Sequence, residues 1–348
     1  MNRTDIPTWL SDTVNPNEVA RVIVEHRERY LVQTEEGTLQ AEITGNIRFS
    51  ARSRSDFPAV GDWVRITRMD QNAAIILELF PRKTVLSRQA VGKTGELQVI
   101  AANIDVAFIV QSVGHDFNLN RLERYLSICY SAGIDPCMLL TKVDLIDDQE
   151  LRDLTQIIVQ RRPDLQLLAI SNENGIGLDQ LKNILVAGKT YCFLGSSGVG
   201  KSTIINHLLP SQEIRTAEIS VSTSKGKHTT THRELFSLTN GSFVIDTPGM
   251  RELGMTDENS GIELTYDQIG ELAQNCRFSD CTHTGEQGCA VTSAVENSEL
   301  EKDVYENYLK LRREQEHFST SVHEKRQQGK VFGRMVKEAV KERKKKKY

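Results

Sequence analysis

The amino-acid sequence predicts a multidomain α/β protein with three parts: an OB-like β-barrel over residues 1–91, an α/β domain over 92–260 and a helical domain over 261–348. Three observations support this fold class. Short alternating runs of β-branched residues come first, apolar runs that alternate with helical patterns follow, and the last part has a cysteine–histidine cluster without strand patterns. The 348 residues are 39% hydrophobic and 26% charged, a composition typical of folded globular proteins.

The N-terminal part contains five candidate strands in fewer than a hundred residues, separated by turn signals such as Glu36-Gly37 and Gly45-Asn46. Short strands spaced this closely are typical of small barrels. An OB-fold and an SH3-like barrel both fit the pattern, and we favour the OB-fold. The predicted strands are Val19–Glu25, Tyr30–Thr34, Thr38–Thr44, Asp62–Arg68 and Ala74–Leu79.

The central part alternates strand and helix patterns. Val106–Val110 is a continuous apolar run, as expected for a strand buried on both faces, whereas Leu119–Ser131 repeats apolar residues at helical spacing. This alternation predicts a doubly wound sheet that binds its ligand at the carboxyl ends of the strands. The other predicted strands are Cys137–Leu140, Leu167–Ile170, Tyr191–Leu194 and Phe243–Ile245, and the other predicted helices are Asp147–Gln160, Leu178–Leu185 and Lys201–Leu208.

A phosphate-binding loop with the pattern G-x-x-x-x-G-K-[ST] follows the predicted strand Tyr191–Leu194. Its glycines allow successive backbone N–H groups to surround a phosphate, and the helix that follows adds positive potential. Lys201 is expected to bridge the β- and γ-phosphates, and Ser202 is expected to bind Mg²⁺. The predicted nucleotide-binding residues of this loop and helix are Gly195, Ser196, Ser197, Gly198, Val199, Gly200, Lys201, Ser202 and Thr203.

Two further segments are candidates for contacts with Mg²⁺ and the γ-phosphate. Asp246 follows the predicted strand Phe243–Ile245, in the sequence Asp-Thr-Pro-Gly, and is expected to bind Mg²⁺ through water. Gly249 would reach the γ-phosphate with its backbone N–H. The run Gly226–Thr231 contains three threonines, one of which would complete the metal shell. Spacing does not identify which one, and we favour Thr230.

Base recognition is predicted at Thr141-Lys142-Val143-Asp144, directly after a predicted strand. This sequence resembles the guanine-specifying N-K-x-D of GTPases, in which the aspartate accepts hydrogen bonds from guanine N1–H and the 2-amino group. Adenine would leave that carboxylate unpaired. Ser171-Asn172-Glu173 resembles the S-A-x loop that closes over guanine. Thr141 replaces an asparagine whose amide ties the base loop to the P-loop, and Asn172 replaces an alanine.

The order of these motifs is unusual, because Lys142 of the base motif lies 59 residues before the P-loop lysine rather than after it. A circular permutation of the same sheet explains this order, since the two ends of a domain usually lie close together at its surface. The sequence therefore predicts a circularly permuted P-loop GTPase domain that uses Mg²⁺.

Two other interpretations compete with the GTPase. Asp144 and Ser171 argue against an ATP-dependent P-loop enzyme, because both belong to guanine-recognition motifs. An RNA-binding module with a vestigial nucleotide site is the second interpretation. Intact Lys201, Ser202 and Asp246 argue against it, because each has a role in phosphate or Mg²⁺ binding.

The C-terminal part contains three cysteines and one histidine within 14 residues. Tetrahedral Zn²⁺ takes such a Cys₃His set, and four protein ligands leave no open position for catalysis. We therefore predict one structural zinc bound by Cys276, Cys281, His283 and Cys289. A closed site of this kind argues against a metal-trafficking GTPase. The other three cysteines lie in apolar sequence and are predicted core residues.

Charge and hydropathy indicate the partners and the location of the chain. The formal net charge is −4, but Arg334–Tyr348 contains eight Lys or Arg and two Glu, which is typical of a segment that meets an anionic partner. The N-terminus lacks the layout of a signal peptide, and the most apolar stretch, Val99–Val113, is too short and too polar to cross a bilayer. We expect a soluble cytoplasmic protein without membrane contacts.

These features together resemble one family over nearly the whole chain: the circularly permuted GTPases of small ribosomal subunit biogenesis, the RsgA family. The resemblance rests on the barrel, Arg121-Leu122-Glu123-Arg124, the five permuted motifs, the Gly-x-His-Thr-Thr-Thr run at 226–231 and the C-x4-C-x-H-x5-C site. It implies a late maturation factor of the small (30S) subunit, which we expect to be a monomer. Its barrel and zinc domain would bind 16S rRNA, and GTP hydrolysis would release it.

The resemblance also bears on catalysis. Met250 occupies the position where Ras-like enzymes have a glutamine that orients water, which implies slow intrinsic hydrolysis. His228 is the family's candidate substitute, although its sequence context also fits a solvated loop residue. Gly198 occupies the position of a K⁺-binding asparagine in related P-loops, which argues against strong activation by potassium. The predicted catalytic residues are thus His228, Thr230 and Lys201.

Overall fold

The structure is a computed structural model that describes residues 6–7, 10, 14–26, 29–89, 97–209, 233–246 and 260–317. The chain divides into two compact units. The first comprises Met1–Ser87 and Val99–Leu253, and the second comprises Arg88–Gln98 and Gly254–Tyr348. The N-terminal strands and the α/β sheet both belong to the first unit. The three-part division at residues 91/92 and 260/261 stays a prediction.

Five strands of the first unit close into a barrel: β1 (Val19–His26), β2 (Arg29–Thr34), β3 (Gly37–Ile43), β4 (Trp63–Arg68) and β5 (Ala73–Leu79). They pair in the order β1-β2-β3-β5-β4, and β4 also pairs with β1, which closes the barrel. The β3–β5 pair is parallel and the other pairs are antiparallel. This closed order confirms the OB-like barrel, which strand periodicity could not separate from an SH3-like one.

Alternate side chains along the barrel strands are buried and form the core of the barrel. In β3, Leu39, Ala41 and Ile43 are buried, while the residues between them are exposed. This is the period of two expected for strands with one face in a core. Three elements that the sequence did not predict follow, one helix and two strands. The short helix α1 (Gly45–Ser50) comes after β3, and β6 (Val85–Gln89) pairs with β7 (Leu97–Ala102) in a separate two-stranded sheet.

Five parallel strands form the predicted α/β sheet, in the spatial order β10-β9-β8-β11-β13. An unpredicted strand, β12, is antiparallel to β13. The core includes Phe108 and Tyr191, whose rings stack with centroids 5.5 Å apart. The strands are β8 (Val106–Ser112), β9 (Asp135–Thr141), β10 (Gln166–Ile170), β11 (Thr190–Leu194), β12 (Glu234–Ser237) and β13 (Phe243–Asp246).

Four helices accompany this sheet, and all four were predicted: α2 (Leu119–Ser131), α3 (Asp148–Arg161), α4 (Leu178–Ile184) and α5 (Lys201–Leu208). Two of them begin at capping residues of the expected kind. The Asn118 side chain accepts from the backbone N–H of Arg121, and the Asp147 carboxylate accepts from those of Gln149 and Glu150. P-loop and base motif thus lie on a permuted sheet, as the motif order indicated.

The barrel and the α/β sheet are continuous, because β12 pairs with β13 on one side and with β1 of the barrel on the other. Arg21 on β1 is 2% exposed and donates to the Thr190 hydroxyl at 2.6 Å. Its guanidinium also lies over the rings of Trp63 and Phe243. The barrel therefore packs directly against the start of β11 and of β13.

The second unit is helical, and its described residues contain no strand after residue 260, as predicted. Its helices are α6 (Ser260–Thr265), α7 (Asp267–Ala273), α8 (Ala290–Glu296) and the helical residues 302–317, in the part of the chain predicted to be helical. Tyr266 packs edge-on against Tyr308, and its hydroxyl accepts from the Asn307 amide at 2.7 Å. Throughout the described part of the chain, no helix combines the length and hydrophobicity needed to cross a bilayer.

Candidate nucleotide site and metal centre

The P-loop connects β11 to α5 and depends on glycine at two close contacts. Gly195 has φ +152°, and a Cβ there would lie 2.3 Å from the Val110 carbonyl oxygen. Gly200 has φ +98°, and a Cβ there would lie 2.7 Å from the Asn172 side chain. Both positions have a backbone conformation that favours glycine, and at Gly195 the backbone of Val110 also leaves no space for a side chain. The structure thus gives a local reason for the glycines at both ends of the loop.

The lysine of the P-loop lies folded into its own loop. Lys201 Nζ donates to the carbonyl oxygens of Gly195, at 2.7 Å, and Ser196, at 2.5 Å. A second cation reaches the same residue, because Arg121 Nη1 donates to the Ser196 hydroxyl at 2.9 Å and to the Asp116 carbonyl at 3.2 Å. The predicted loop residues 195–203 therefore have two cationic side chains close to them, those of Lys201 and Arg121. This concentration of positive charge suits the binding of an anion.

The base motif is tied to the P-loop by a hydroxyl instead of an amide. Thr141 is fully buried, and its Oγ1 donates to the Val199 carbonyl oxygen at 2.7 Å. Asn172 adds a longer contact from its Nδ2 to the Gly200 carbonyl oxygen at 3.5 Å. The two departures from the N-K-x-D and S-A-x patterns thus both face the P-loop. The Thr141 hydroxyl therefore preserves the tie between the base motif and the P-loop that the replacement of asparagine was expected to remove.

Asp144 and Ser171 lie together, as the base-recognition hypothesis requires. The Ser171 hydroxyl donates to Asp144 Oδ1 at 2.5 Å and accepts from the backbone N–H groups of Glu173, at 3.2 Å, and Asn174, at 3.4 Å. Ser171 is buried, whereas Asp144 is exposed. The serine therefore orients a carboxylate whose remaining lone pairs are open to a ligand. Lys142, with φ +60°, adopts the left-handed conformation between Thr141 and Val143.

The predicted Mg²⁺ ligands Ser202 and Asp246 come from neighbouring elements. Asp246 is the last residue of β13, and β13 pairs in parallel with β11, whose end leads into the P-loop. Ser202 lies in the first turn of α5, which packs against β13. A hydroxyl and a carboxylate are hard oxygen ligands of the kind that Mg²⁺ prefers, so the donors fit the ion. The predicted residues His228, Thr230, Gly249 and Met250 lie outside the described residues.

The four predicted zinc ligands form one cluster, in which all ligand atoms lie within 4.8 Å of one another. The sulfurs of Cys276 and Cys289 are 3.9 Å apart, and His283 Nδ1 is 3.6 and 3.5 Å from them. Ligands about 2.3 Å (sulfur) or 2.0–2.1 Å (nitrogen) from a tetrahedral zinc would be separated by about 3.8 Å (S to S) and 3.5 Å (S to N). The cluster, which also includes Cys281, therefore has the geometry of a structural zinc site.

Surrounding residues hold this cluster in place. The Tyr305 hydroxyl, from the helical residues 302–317, donates to the His283 carbonyl oxygen at 2.6 Å. His283 itself is 7% exposed and has φ +61°. Burial favours the neutral thiol of Cys289, but hydrogen bonds, the largest of them from Thr292, outweigh it and lower the pKa of this thiol below its ordinary value. The thiolate form, which binds zinc, is thereby favoured.

Sequence reasoning missed three features of the nucleotide site. Arg121 was noticed only within a family motif, and its contact with Ser196 depends on how α2 packs beside the P-loop. The hydroxyl tie of Thr141 was missed because a side chain's partner across 58 residues leaves no local pattern. β12 was missed because its four residues are too few for alternation to be recognised.

Comparison with known proteins gives consistent matches. A family model described as RsgA GTPase matches residues 79–256. The small ribosomal subunit biogenesis GTPase RsgA 1 of Bacteroides thetaiotaomicron is 41% identical over 325 residues, which cover 93% of this chain and 90% of that protein. RsgA 2 of Listeria monocytogenes is 46% identical over 295 residues, which cover 84% of this chain and 82% of that protein.

Two solved structures resemble this one. The crystal structure of YjeQ from Thermotoga maritima aligns with a TM-score of 0.63 and 26% identity, over 86% of this chain and 98% of that chain. The crystal structure of YloQ, a circularly permuted GTPase, aligns with a TM-score of 0.61 and 26% identity, over 86% of this chain and 95% of that chain.

Proposed function

The chain belongs to the RsgA GTPase family, and from this premise we propose that it is a GTP-hydrolysing late maturation factor of the small (30S) ribosomal subunit. The observation that carries the proposal is the nucleotide site. An exposed Asp144 carboxylate, oriented by Ser171, lies on the same sheet edge as a complete P-loop. A site with both parts recognises guanine and phosphate together, as GTP and GDP require.

We propose that the described residues bind the nucleotide at its two ends. Asp144 accepts the hydrogen bonds of guanine N1–H and the 2-amino group, while the stem of Lys142 lies along the base. The backbone N–H groups of the P-loop surround the β-phosphate. Lys201 exchanges its contacts with the Gly195 and Ser196 carbonyls for β- and γ-phosphate oxygens, which neutralises charge that develops in the transition state.

Ser202 and Asp246 are proposed to hold Mg²⁺, Asp246 through water, with Thr230 as the third protein group. Bound there, the ion would neutralise charge on the β- and γ-phosphates. Gly249 N–H would contact the γ-phosphate, and His228 would orient the attacking water that Met250 cannot position. His228→Ala should lower hydrolysis stimulated by the subunit and leave GTP binding nearly unchanged. Loss of GTP binding would instead assign His228 a structural role.

Two exposed surfaces support binding to 16S rRNA. On the barrel, the α1 residue Phe49 is 91% exposed, and the arginines at positions 48, 52 and 54 are also exposed. In the second unit, the Arg277 guanidinium lies over the ring of Phe278, which is 46% exposed. An aromatic ring beside arginines provides both a stacking surface for a base and charge for the phosphates. We therefore propose that the barrel and the zinc-binding unit both contact rRNA.

We further propose that the protein acts as a monomer in the cytoplasm, and that GTP hydrolysis releases it from the mature subunit. The basic residues of Arg334–Tyr348 lie outside the described residues. Their charge supports phosphate contacts that carry little sequence information.

Co-sedimentation tests the proposed partner. The full chain is mixed with purified small subunits and a non-hydrolysable GTP analogue, with GDP and with a non-hydrolysable ATP analogue. We expect pelleting with the GTP analogue, weaker pelleting with GDP, and no gain from the ATP analogue over no nucleotide. Large subunits serve as the control. Equal pelleting with both subunits, or binding only to another RNA, would contradict the proposal and favour a nucleotide-dependent RNA-binding protein with a different target.

A further inference from the structure

Asp246, the proposed Mg²⁺ ligand at the end of β13, lies close to the barrel strand β1. In the strand register, Val24 of β1 faces Glu234 of β12, and Glu234 in turn faces Asp246 of β13. Facing residues of antiparallel strands lie about 4.5–5.5 Å apart, so the backbone of Asp246 is about 10 Å from the barrel strand. Only one residue of one short strand separates the proposed metal ligand from the barrel.

An ion pair connects β1 to the residue directly before β12, next to this register position. Arg233, directly before β12, has its Nη1 3.9 Å from Glu25 Oε2 of β1 and 3.1 Å from the Val99 carbonyl oxygen. The Arg233 side chain is 15% exposed and that of Glu25 32% exposed, so solvent screens the pair only in part. Because β12 has four residues, we expect its position to depend strongly on such contacts at its ends.

The barrel strand is itself held firmly against the sheet. At its other end, Arg21 donates to the Thr190 hydroxyl and lies over the Phe243 ring, at the starts of β11 and β13. Gly61 of the adjacent barrel loop also packs against this sheet, since a Cβ there would lie 3.3 Å from Ile245 Cδ1 of β13. β1 thus meets the nucleotide sheet at two points, near the start of β13 through Arg21 and near its end through β12, so a shift of β1 would be passed to β12 and β13.

We propose that Glu25 and Arg233 are positioning residues for the magnesium-binding Asp246, through which the barrel sets the geometry of the metal end of the nucleotide site. Neither side chain touches nucleotide or metal in this account. The inference rests on the proposed function, in which Asp246 binds Mg²⁺ and the barrel binds rRNA. Contacts between β1, β12 and β13 would link the rRNA-binding barrel to the Mg²⁺ ligand, because a partner that shifts β1 would also shift Asp246.

The test measures the release of a fluorescent GDP analogue from the isolated full chain, in excess Mg²⁺ and in EDTA. Bound Mg²⁺ should slow release in the wild type. In Glu25→Gln and Arg233→Ala, we expect this slowing to weaken by about two- to fivefold, the range of a partly exposed ion pair, with release in EDTA unchanged. Arg233→Lys should retain most of the effect, because a single nitrogen of Arg233 makes both contacts.

Glu42→Gln is the matched control. Glu42 is also a barrel glutamate paired with an arginine, Arg29, but this pair is exposed and lies within the barrel. It should leave the Mg²⁺ effect at the wild-type value. Unchanged Mg²⁺ effects in both test variants would overturn the proposal, as would equal acceleration in EDTA, which indicates general loosening.

No ribosomal subunits enter this assay, so its failure is distinct from failure of the proposed partner. A wild-type protein that ignores small subunits would contradict the proposed function while the release rates still decide the role of Glu25 and Arg233. If Arg233→Ala does not fold, Glu25→Gln, which removes the charge but keeps the shape, decides alone.

Discussion

The nucleotide site and the metal centre are assembled in opposite ways. The nucleotide site gathers residues from four strand ends, those of β9, β10, β11 and β13, and the Thr141–Val199 contact spans 58 positions of sequence. The metal centre takes all four ligands from 14 consecutive residues, Cys276–Cys289. The first is positioned by a sheet with a large buried core, whereas the second is a loop between short helices.

This difference indicates what each site needs in order to form. Several polar groups of the nucleotide site are already held by hydrogen bonds within the protein, such as Ser171 with Asp144 and Lys201 with the loop carbonyls. In the metal centre, the sulfurs of Cys276 and Cys289 and the ring nitrogen of His283 lie 3.5–3.9 Å apart, Cys281 completes the cluster, and zinc is the natural partner for all four. We therefore expect the nucleotide site to keep its structure when no nucleotide is bound, and the metal centre to unfold when zinc is removed.

The largest effect is expected at the base-recognition end. Asp144→Asn replaces a carboxylate that accepts two hydrogen bonds from guanine, each worth about 1.5–3 kcal/mol when one partner is charged. GTP affinity should fall by about 100-fold or more, and xanthine nucleotides should gain, because the new amide donates where the carboxylate accepted. Fluorescence titration with both nucleotides measures this.

Glu173→Gln serves as the control for Asp144→Asn, because it changes an exposed carboxylate in the neighbouring loop after β10 and should leave both affinities unchanged. If ATP competes equally with GTP in the wild type, the assignment of Asp144 to guanine recognition is wrong.

The metal centre should respond locally. Wild-type protein should copurify with one equivalent of zinc, and Cys281→Ser should remove it, because serine is a poor zinc ligand. Few large apolar residues lie between residues 261 and 290, so metal binding contributes folding free energy there. Metal analysis and limited proteolysis should show zinc loss and cleavage after residue 260, while GTP affinity stays at the wild-type value.

Cys137→Ala is the matched control for Cys281→Ser, because it alters a buried cysteine of β9 and should retain the zinc. Loss of GTP binding in Cys281→Ser would show that the two regions fold as one unit, and that the nucleotide site does not form independently of the metal centre.

The difference between long-range and local assembly also explains how much of each region could be predicted from the sequence. The zinc ligands were predictable as a set, because their spacing is local. The five barrel strands and α2–α5 were predictable from period and length. The closed order of the barrel was not, because the parallel pairing of β3 with β5 joins segments separated by a helix and a strand. The strand β12 and the Arg233–Glu25 pair likewise depend on long-range packing.

A smaller effect is expected at the tie between the base motif and the P-loop. Thr141→Val removes the donor to the Val199 carbonyl oxygen inside the core, a hydrogen bond worth about 0.5–1.5 kcal/mol. GTP affinity should therefore fall by about two- to tenfold, whereas Thr141→Asn should restore it, since its amide can donate to the same oxygen. Equal affinities in wild type and Thr141→Val would show that the tie has no part in binding.

The smallest effect concerns the basic end of the chain, which lies outside the described residues. Deleting Lys344–Lys347 removes four charges whose expected contacts are with phosphates. Subunit binding should weaken, and its salt dependence should flatten, because each lost phosphate contact lowers the slope by about 0.7–0.9. Basal GTP hydrolysis should not change. An unchanged salt slope would identify the segment as a solvated end without contacts.

Multiple-turnover GTP hydrolysis, with and without purified small ribosomal subunits, decides whether the protein is a GTPase that responds to this subunit. Alone, the protein should hydrolyse GTP at about 10⁻⁴ to 10⁻² s⁻¹, the range of unassisted GTPases. Small subunits should accelerate it by about tenfold or more, and large subunits should not. Fast hydrolysis by the isolated protein, or a rate that does not respond to the small subunit, would contradict the account.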